Sequence, residues 1–408
     1  MAETLRAGTF GFGAGKEQIK YYSALTDYNI PRKNGTLAIR ILCTILFIGF
    51  SFCYLYFYQA DILAVAQHVL SGGQTHYSRF IGAVLITLVL WLLQIGIFSL
   101  TRFSRYSYAQ TYFPSLLFLA VLTDISSNIS HQFSFGAWVW LLPLLLIAYG
   151  VLVGFLKQLQ VLEADVKDFG LFSRMAWFNV LCLTVMFLLV GLVGNHDEVF
   201  HYRAHIEQEL LDGDERKALT VGEHSTAADA SLTMLRAFAL SRCNLLGERL
   251  FEYPVVGGAR ALLPNGTTVE ALMIPESRIY NHVGRQLKQK VSVWKYFEWM
   301  NRLHVGKPAL VDYELCACLM DRKMDTFAEL LKLYYPLDRR LPKHYREGLT
   351  LYMHLRKNPV LYYHDNVSEA DYEDFQTASR TFSNYAQRKA GMKESYGNTY
   401  WYYYFFCR

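Results

Sequence analysis

Charge is what this sequence has least of. Of its 408 residues only 18% are Asp, Glu, Lys or Arg, and the shortage is uneven: residues 1–200 hold 12 Lys/Arg and 10 Asp/Glu, residues 201–408 hold 28 and 25. With aromatics at 15% and a hydrophobic fraction of 52%, the composition also excludes a disordered chain. A net charge of +5, shared almost equally between the halves, excludes the dense basic surface that counterion release on nucleic acid requires. The seven cysteines contain no CxxC pair. Alternating strand patterns are scarce, with one candidate stretch at Val255–Met273, where Gly257-Gly258 and Pro264-Asn265-Gly266 mark loops. What remains is an all-α chain with a membrane domain first and a water-exposed domain second.

A bilayer core of about 30 Å needs about 20 apolar residues of helix. Five charge-poor windows meet or approach that length: Ile41–Ala60, Phe80–Thr101, Tyr106–Thr123, a fourth within Phe135–Leu156 and a fifth within Met175–Asn195. The third is short and carries Pro114, which is tolerated near the start of a span. Basic residues resist translocation. Arg6, Lys16, Lys20, Arg32, Lys33, Arg40, Arg102, Arg105, Lys157, Lys167 and Arg174 fall on one side of a five-span arrangement, and Arg79 alone falls in the opposite short loops. The sequence therefore predicts a cytoplasmic tail over 1–36, a five-helix transmembrane domain over 37–196 and an extracytoplasmic domain over 197–408. The first 36 residues lack an apolar core, so the first span reads as an uncleaved anchor. Tyr54, Tyr56, Tyr58, Trp138 and Trp140 fit an outer aromatic belt. No ionisable group lies centrally in a window, which disfavours an ion-coupled transporter. Gly150 and Gly154 are read as a close-packing pair within the domain, with a dimer face as the alternative.

The second half carries helical periodicity with short polar breaks. Leu232, Leu235, Ala239, Leu246 and Leu250 form one stripe interrupted by Gly247, and Val291, Trp294, Phe297 and Met300 form another. Tyr313–Met320 and Phe327–Tyr335 read as a hairpin turning at Asp321-Arg322-Lys323 and closed by Pro336; Tyr345–Leu355 and Tyr372–Arg388 add further helices. The length suits five or six hairpins of about 34 residues, a tetratricopeptide-like array, although the closing prolines do not recover that repeat's register. A plain irregular helical domain is the alternative.

Candidate chemistry is thin. Gly8, Gly11, Gly13, Gly15 and Lys16 fail as a phosphate loop, because Phe10 and Glu17 occupy places that need Gly and Ser/Thr. Asp61, His68, His76 and Arg79 line the first outer loop; an acidic residue there could serve as a base or hold a metal in an enzyme acting on lipid-linked or glycan substrates. His201 and His205, four apart on a helix with His196 and Glu207 nearby, are weak zinc candidates. No cofactor is expected. Cys316 and Cys318 read as buried apolar residues, and Cys243 with Cys407 as a pair that an oxidising compartment would permit to bridge. Seven consecutive aromatics, Tyr400 to Phe406, must pack against the last hairpin or meet a headgroup boundary.

Four stretches carry a resemblance: Gln67 to Tyr77 (QHVLSGGQTHY), Tyr280-Asn281-His282-Val283-Gly284, Leu341 to Glu347 (LPKHYRE), and Thr399 to Tyr404 (TYWYYY). From about Leu37 onward the chain resembles a family of Bacteroidota inner-membrane proteins known only as a domain of unknown function. The resemblance implies several membrane helices followed by a helical, repeat-like periplasmic region. The expected role is a non-enzymatic scaffold or binding protein in envelope assembly, with the lipid bilayer and a protein or envelope glycan as partners; an enzyme working through the first outer loop is the alternative.

Overall fold

The computed structural model describes residues 30–103, 107–129, 134–160, 173–337 and 340–407. The Gly8–Lys16 stretch, most of the 1–36 tail, Arg105, Tyr106 and Lys167 lie outside them. Regular elements among the described residues are all helical. They divide into two compact units: one runs to Leu63 and resumes over Tyr77–Asn195, the other comprises Ala64–His76 and His196–Arg408.

In the first unit, α1 (Ile30–Cys53) continues through a π-helical turn to Tyr58, followed by the start of α2 (Ala60–Leu70), whose residues from Ala64 on belong to the second unit, and by α3 (Arg79–Thr101), α4 (Phe113–Thr123), α5 (Trp138–Gln160) and α6 (Arg174–Val193). Among the described residues four helices, not five, are long and apolar enough to cross a membrane: Leu37–Tyr58, Arg79–Thr101, Trp138–Gln158 and Arg174–Val193. The third window is corrected. It is a 3-10 turn at Tyr108–Tyr112 leading into the 11-residue α4, with Pro114 in the first helical turn. An α-helix of that length reaches about 16 Å, short of a bilayer core.

Contacts fix the level of each end. Arg40 lies over the rings of Phe98 and Tyr108, at 4.6 and 5.7 Å. Asn179, early in α6, accepts a hydrogen bond from the Ala109 N–H at 2.7 Å. At the other end the Asn195 N–H donates to Thr123 O at 3.0 Å, and Tyr54 meets Thr123 at 3.4 Å. The segment Tyr108–Thr123 thus runs alongside α1 and α6 from one end of the unit to the other, its five 3-10 residues adding about 10 Å to the reach of α4. The unit is also inverted in polarity. Ile81, Leu85, Leu144, Ile147, Leu188 and Leu192 are exposed, whereas Thr87, Gln94, Ser115 and Asn179 are buried. In hydrocarbon polar groups must be satisfied inside, and Gln94 does this by donating to Tyr108 and Thr111. Only 6% of the Trp138–Gln158 span is buried, and a Cβ added at Gly150 or Gly154 meets nothing within 4 Å. Among the described residues the close packing expected at that pair is not made.

The second unit carries α7 (Glu198–Asp212), α8 (Glu215–Thr220), α9 (Ala230–Arg242), α10 (Leu246–Arg249), α11 (Glu276–Val283), α12 (Val293–Arg302), α13 (Ala309–Met320), α14 (Met324–Tyr334), α15 (Lys343–Leu355), α16 (Asn366–Arg380), α17 (Tyr385–Tyr396) and α18 (Tyr400–Phe406). Side chains set the starts: Asp197, Asp229, Ser292, Asp365, Asn384 and Thr399 each accept a backbone N–H of the first turn. The α13–α14 hairpin turns at Arg322 with φ +58°, and α14 ends before Pro336. The stretch read as Tyr372–Arg388 breaks at Thr381–Asn384. The break in the Asp229–Glu252 stripe falls at Asn244, φ +55°, rather than at Gly247. Glycine is needed at 247 because a Cβ there would sit 2.5 Å from the Tyr345 ring.

The tetratricopeptide-like array is not what these contacts describe. In a linear stack each hairpin meets only its neighbours. Here α10 packs on both α13 and α15, and α15 packs on α18. The Lys343 N–H donates to Glu248 at 2.7 Å, closing a loop of 95 residues, and one apolar cluster extends from Ile206 to Phe406. The unit is a closed irregular helical domain. Val255–Met273, the strand candidate, forms a 3-10 turn at Gly258–Ala261 and extended loop. Its amides are held by a side chain instead of a partner strand: the buried Glu207 carboxylate accepts the N–H groups of Leu272, Met273 and Ile274 at 2.6–3.0 Å. Burial pushes Glu207 up, and the three amides with Arg203 oppose that shift. A glutamine cannot offer two accepting oxygens to three donors. Glu207→Gln is expected to cost about 2 kcal/mol and lower the melting temperature of this unit by about 4–8 °C. Near-ultraviolet circular dichroism of the full chain in detergent measures it; an unchanged melt would exclude a pinning role.

Candidate functional site

The four first-loop candidates are divided between the two units. Asp61 and Arg79 belong to the first unit and form an ion pair with each other. His68 and His76 belong to the second, where burial and the neighbouring His76 push the His68 imidazole down. Their loop is closed on itself: Gln67 donates to Thr75 at 2.9 Å, and Gly72 and Gly73 adopt φ of +60° and +79°, which explains the glycine pair. A carboxylate already held by a guanidinium is engaged before any substrate arrives.

His201 and His205 lie on α7, on the side away from the buried Arg203 and Glu207, and His205 approaches Glu209 at 3.5 Å. Among the described residues no group of three His, Cys, Asp or Glu is placed to hold a metal ion. All seven cysteines, Cys243 and Cys407 included, are free thiols, and Cys316 and Cys318 are buried.

The aromatic end packs into the core, and α18 lies against α15. Trp401 Nε1 donates to Glu347 O at 2.8 Å, and the Tyr400 and Tyr403 hydroxyls donate to Leu319 O and Met320 O, each at 3.0 Å. Glu347 also joins two of the stretches that carried the resemblance. Its Oε2 accepts the Tyr400 N–H at 2.7 Å and meets His344 Nδ1 at 2.9 Å. His344 Nε2 in turn accepts the Phe251 N–H at 3.2 Å, which assigns the proton to Nδ1. This buried His–Glu pair resembles a general-base couple, yet the nitrogen that would take a proton is occupied by main chain. Nearby, Asp312 Oδ1 accepts the hydroxyls of Tyr335 and Tyr345 at 2.6 and 2.8 Å. These acids hold the fold.

One place differs. A cleft of about 440 Å³ is lined by Phe238 and Arg242 of α9, Ser277, Arg278, Asn281 and His282 of α11, and Lys307. No carboxylate lines it. Arg242 is paired at 2.9 Å with Glu215, which lies outside the lining. Arg278 donates to Leu210 O at 2.9 Å and lies within the field of Glu215, Lys307 donates to Asn281 O, and among the described residues no salt bridge joins either to a carboxylate. His282 Nε2 meets the Ser241 hydroxyl at 2.8 Å, and its ring stands edge-on to Phe238, centroids 5.5 Å apart. Burial, with Arg242 and Lys307 beside it, pushes the His282 imidazole down. Sequence reasoning marked Tyr280–Gly284 as a kinship pattern only; the lining joins residues up to 69 positions apart, so no local spacing announced it.

Residues 306–407 match a family of unknown function, DUF6057. The match spans α13 to α18, including both segments joined by Glu347, and leaves Tyr280–Gly284 outside. No curated protein and no solved structure matches the chain. Glu347→Ala removes the acceptor that holds the start of α18. It is expected to speed proteolytic clipping near Tyr400 at least several-fold in the folded full chain, with little change in helix content; wild-type clipping rates would rule out this anchoring role.

Proposed function

We propose that the chain is a non-enzymatic multi-pass inner-membrane protein whose second unit lies in the periplasm and binds a partner in envelope assembly. The observation that carries the reading is the contrast within the second unit: Glu207, the His344–Glu347 pair and Asp312 are closed by internal donors, while the basic cleft beside α11 holds two cations, Arg278 and Lys307, with no salt bridge among the described residues. A protein built to bind needs the second feature and no poised nucleophile or base.

The first unit supports this compartment. Arg40 lies at one end of its long helices and Asn195 at the other, which fits an odd number of passes by the four long helices and the two-part Tyr108–Thr123 segment. The excess of basic residues at the entry side supports a cytoplasmic amino terminus. The partner is a periplasmic protein or an envelope glycan. The enzyme alternative through Asp61 gains no support from its closed pair with Arg79.

Two measurements test this reading. Alkaline phosphatase fused after Arg408 is expected to be active and a green fluorescent reporter there dark; the reverse would overturn the topology. In a deletion strain, Asp61→Asn is expected to complement as the wild type does at equal abundance, whereas loss of complementation would favour the enzyme.

A further inference from the structure

We propose that the cleft between α9, α11 and Lys307 is a binding site for a phosphoryl group carried by a small organic molecule. This goes beyond the protein or glycan partner above by adding a small-molecule ligand, and rests on that reading only for the absence of turnover. The charge balance is the first argument. Arg242, Arg278 and Lys307 place three cations on the cleft, Glu215 compensates one of them, and the excess of two matches a phosphate dianion better than a single carboxylate. Free donors are the second. A guanidinium has five N–H donors and an ammonium three; Arg278 uses one on Leu210 O and Lys307 one on Asn281 O, so both keep donors for tetrahedral oxygens. Ser277 and Asn281 add neutral donors on the same wall.

Size is the third argument. About 440 Å³ exceeds what a bare phosphate fills and suits a small organic ligand. The edge-on Phe238–His282 pair supplies an apolar contact for the body of that molecule. Binding an anion between cations otherwise left facing one another relieves their mutual repulsion, so the fold gains by occupancy.

The probes are inorganic phosphate and phenyl phosphate, titrated into the full chain in maltoside micelles and followed by phosphorus NMR. Saturable binding is expected, tighter for phenyl phosphate. Lys307→Gln and Arg278→Gln are each expected to weaken it roughly tenfold, and Lys357→Gln, an exposed lysine outside the cleft, to leave it unchanged. Arg278 also steadies the end of α7, so the exposed Lys307, with a wild-type melt, is the deciding variant. Competition by phosphatidic acid in nanodiscs, but not by phosphatidylcholine, would assign a lipid headgroup as source; its absence would assign a soluble phosphate ester, and the site stands in either case. Release of orthophosphate would keep the site but sink the non-enzymatic reading. No saturable binding of either phosphate or of phosphatidic acid, or equal weakening by Lys357→Gln, would overturn the proposal.

Discussion

A backbone N–H removed from water must find an acceptor, and this chain meets that demand with side chains where regular structure fails. Unpaired, each such group costs about 1–3 kcal/mol, a large share of a domain's net stability. The pattern repeats in both units. Asn179 accepts from Ala109 where the membrane segment begins as a 3-10 turn. Glu207 accepts from three successive amides of an extended loop, Asp321 accepts from Ala259, and His344 and Glu347 take Phe251 and Tyr400. The irregular stretches can be buried because those acceptors exist.

That use of acceptors bears directly on chemistry. A carboxylate or imidazole fixed by main-chain donors is poorly placed to take a proton from a substrate, because doing so would unsatisfy the amide it holds. Motif-like spacings, such as the His344–Glu347 pair, therefore resemble catalytic couples while acting as fasteners. Cations follow a different rule. Arg278 and Lys307 carry more donors than their carbonyl partners occupy, so they close local structure and still face a cleft. The asymmetry between saturated acids and unsaturated bases is the physical ground of the binding proposal.

How much was legible follows from the range of the contacts. Long apolar windows announce themselves locally, and four of them are helices of spanning length. The Tyr108–Thr123 segment was legible as apolar but not as a two-part element, because its form depends on Asn179, 70 residues away, and on Gln94 of α3. Periodicity in the second half gave the hairpin at Asp321–Lys323 but not the partners of each helix. Stacked repeats and a closed domain share the same amphipathic stripes; contacts such as Lys343 with Glu248 decide between them. Glu207 was visible only as a neighbour of two histidines, since its donors begin 65 residues later.

Polar residues inside a membrane domain usually raise the question of transport. In this unit the question has a structural answer. Gln94 donates to Tyr108 and Thr111, Asn179 bridges the Ala109 N–H and the Met175 carbonyl, and Ser115 donates to Leu90 O at 2.8 Å. Each serves the two-part segment or the helix against which it lies. A transport path would need such groups to exchange these partners for a passing solute. Doing so here would leave the amide of a 3-10 turn unpaired in hydrocarbon, at a cost of several kcal/mol. The same bonds hold the segment alongside its neighbours from Arg40 to Thr123, so the interior polarity that could suggest a pore is used to seat a segment that is not one continuous long helix.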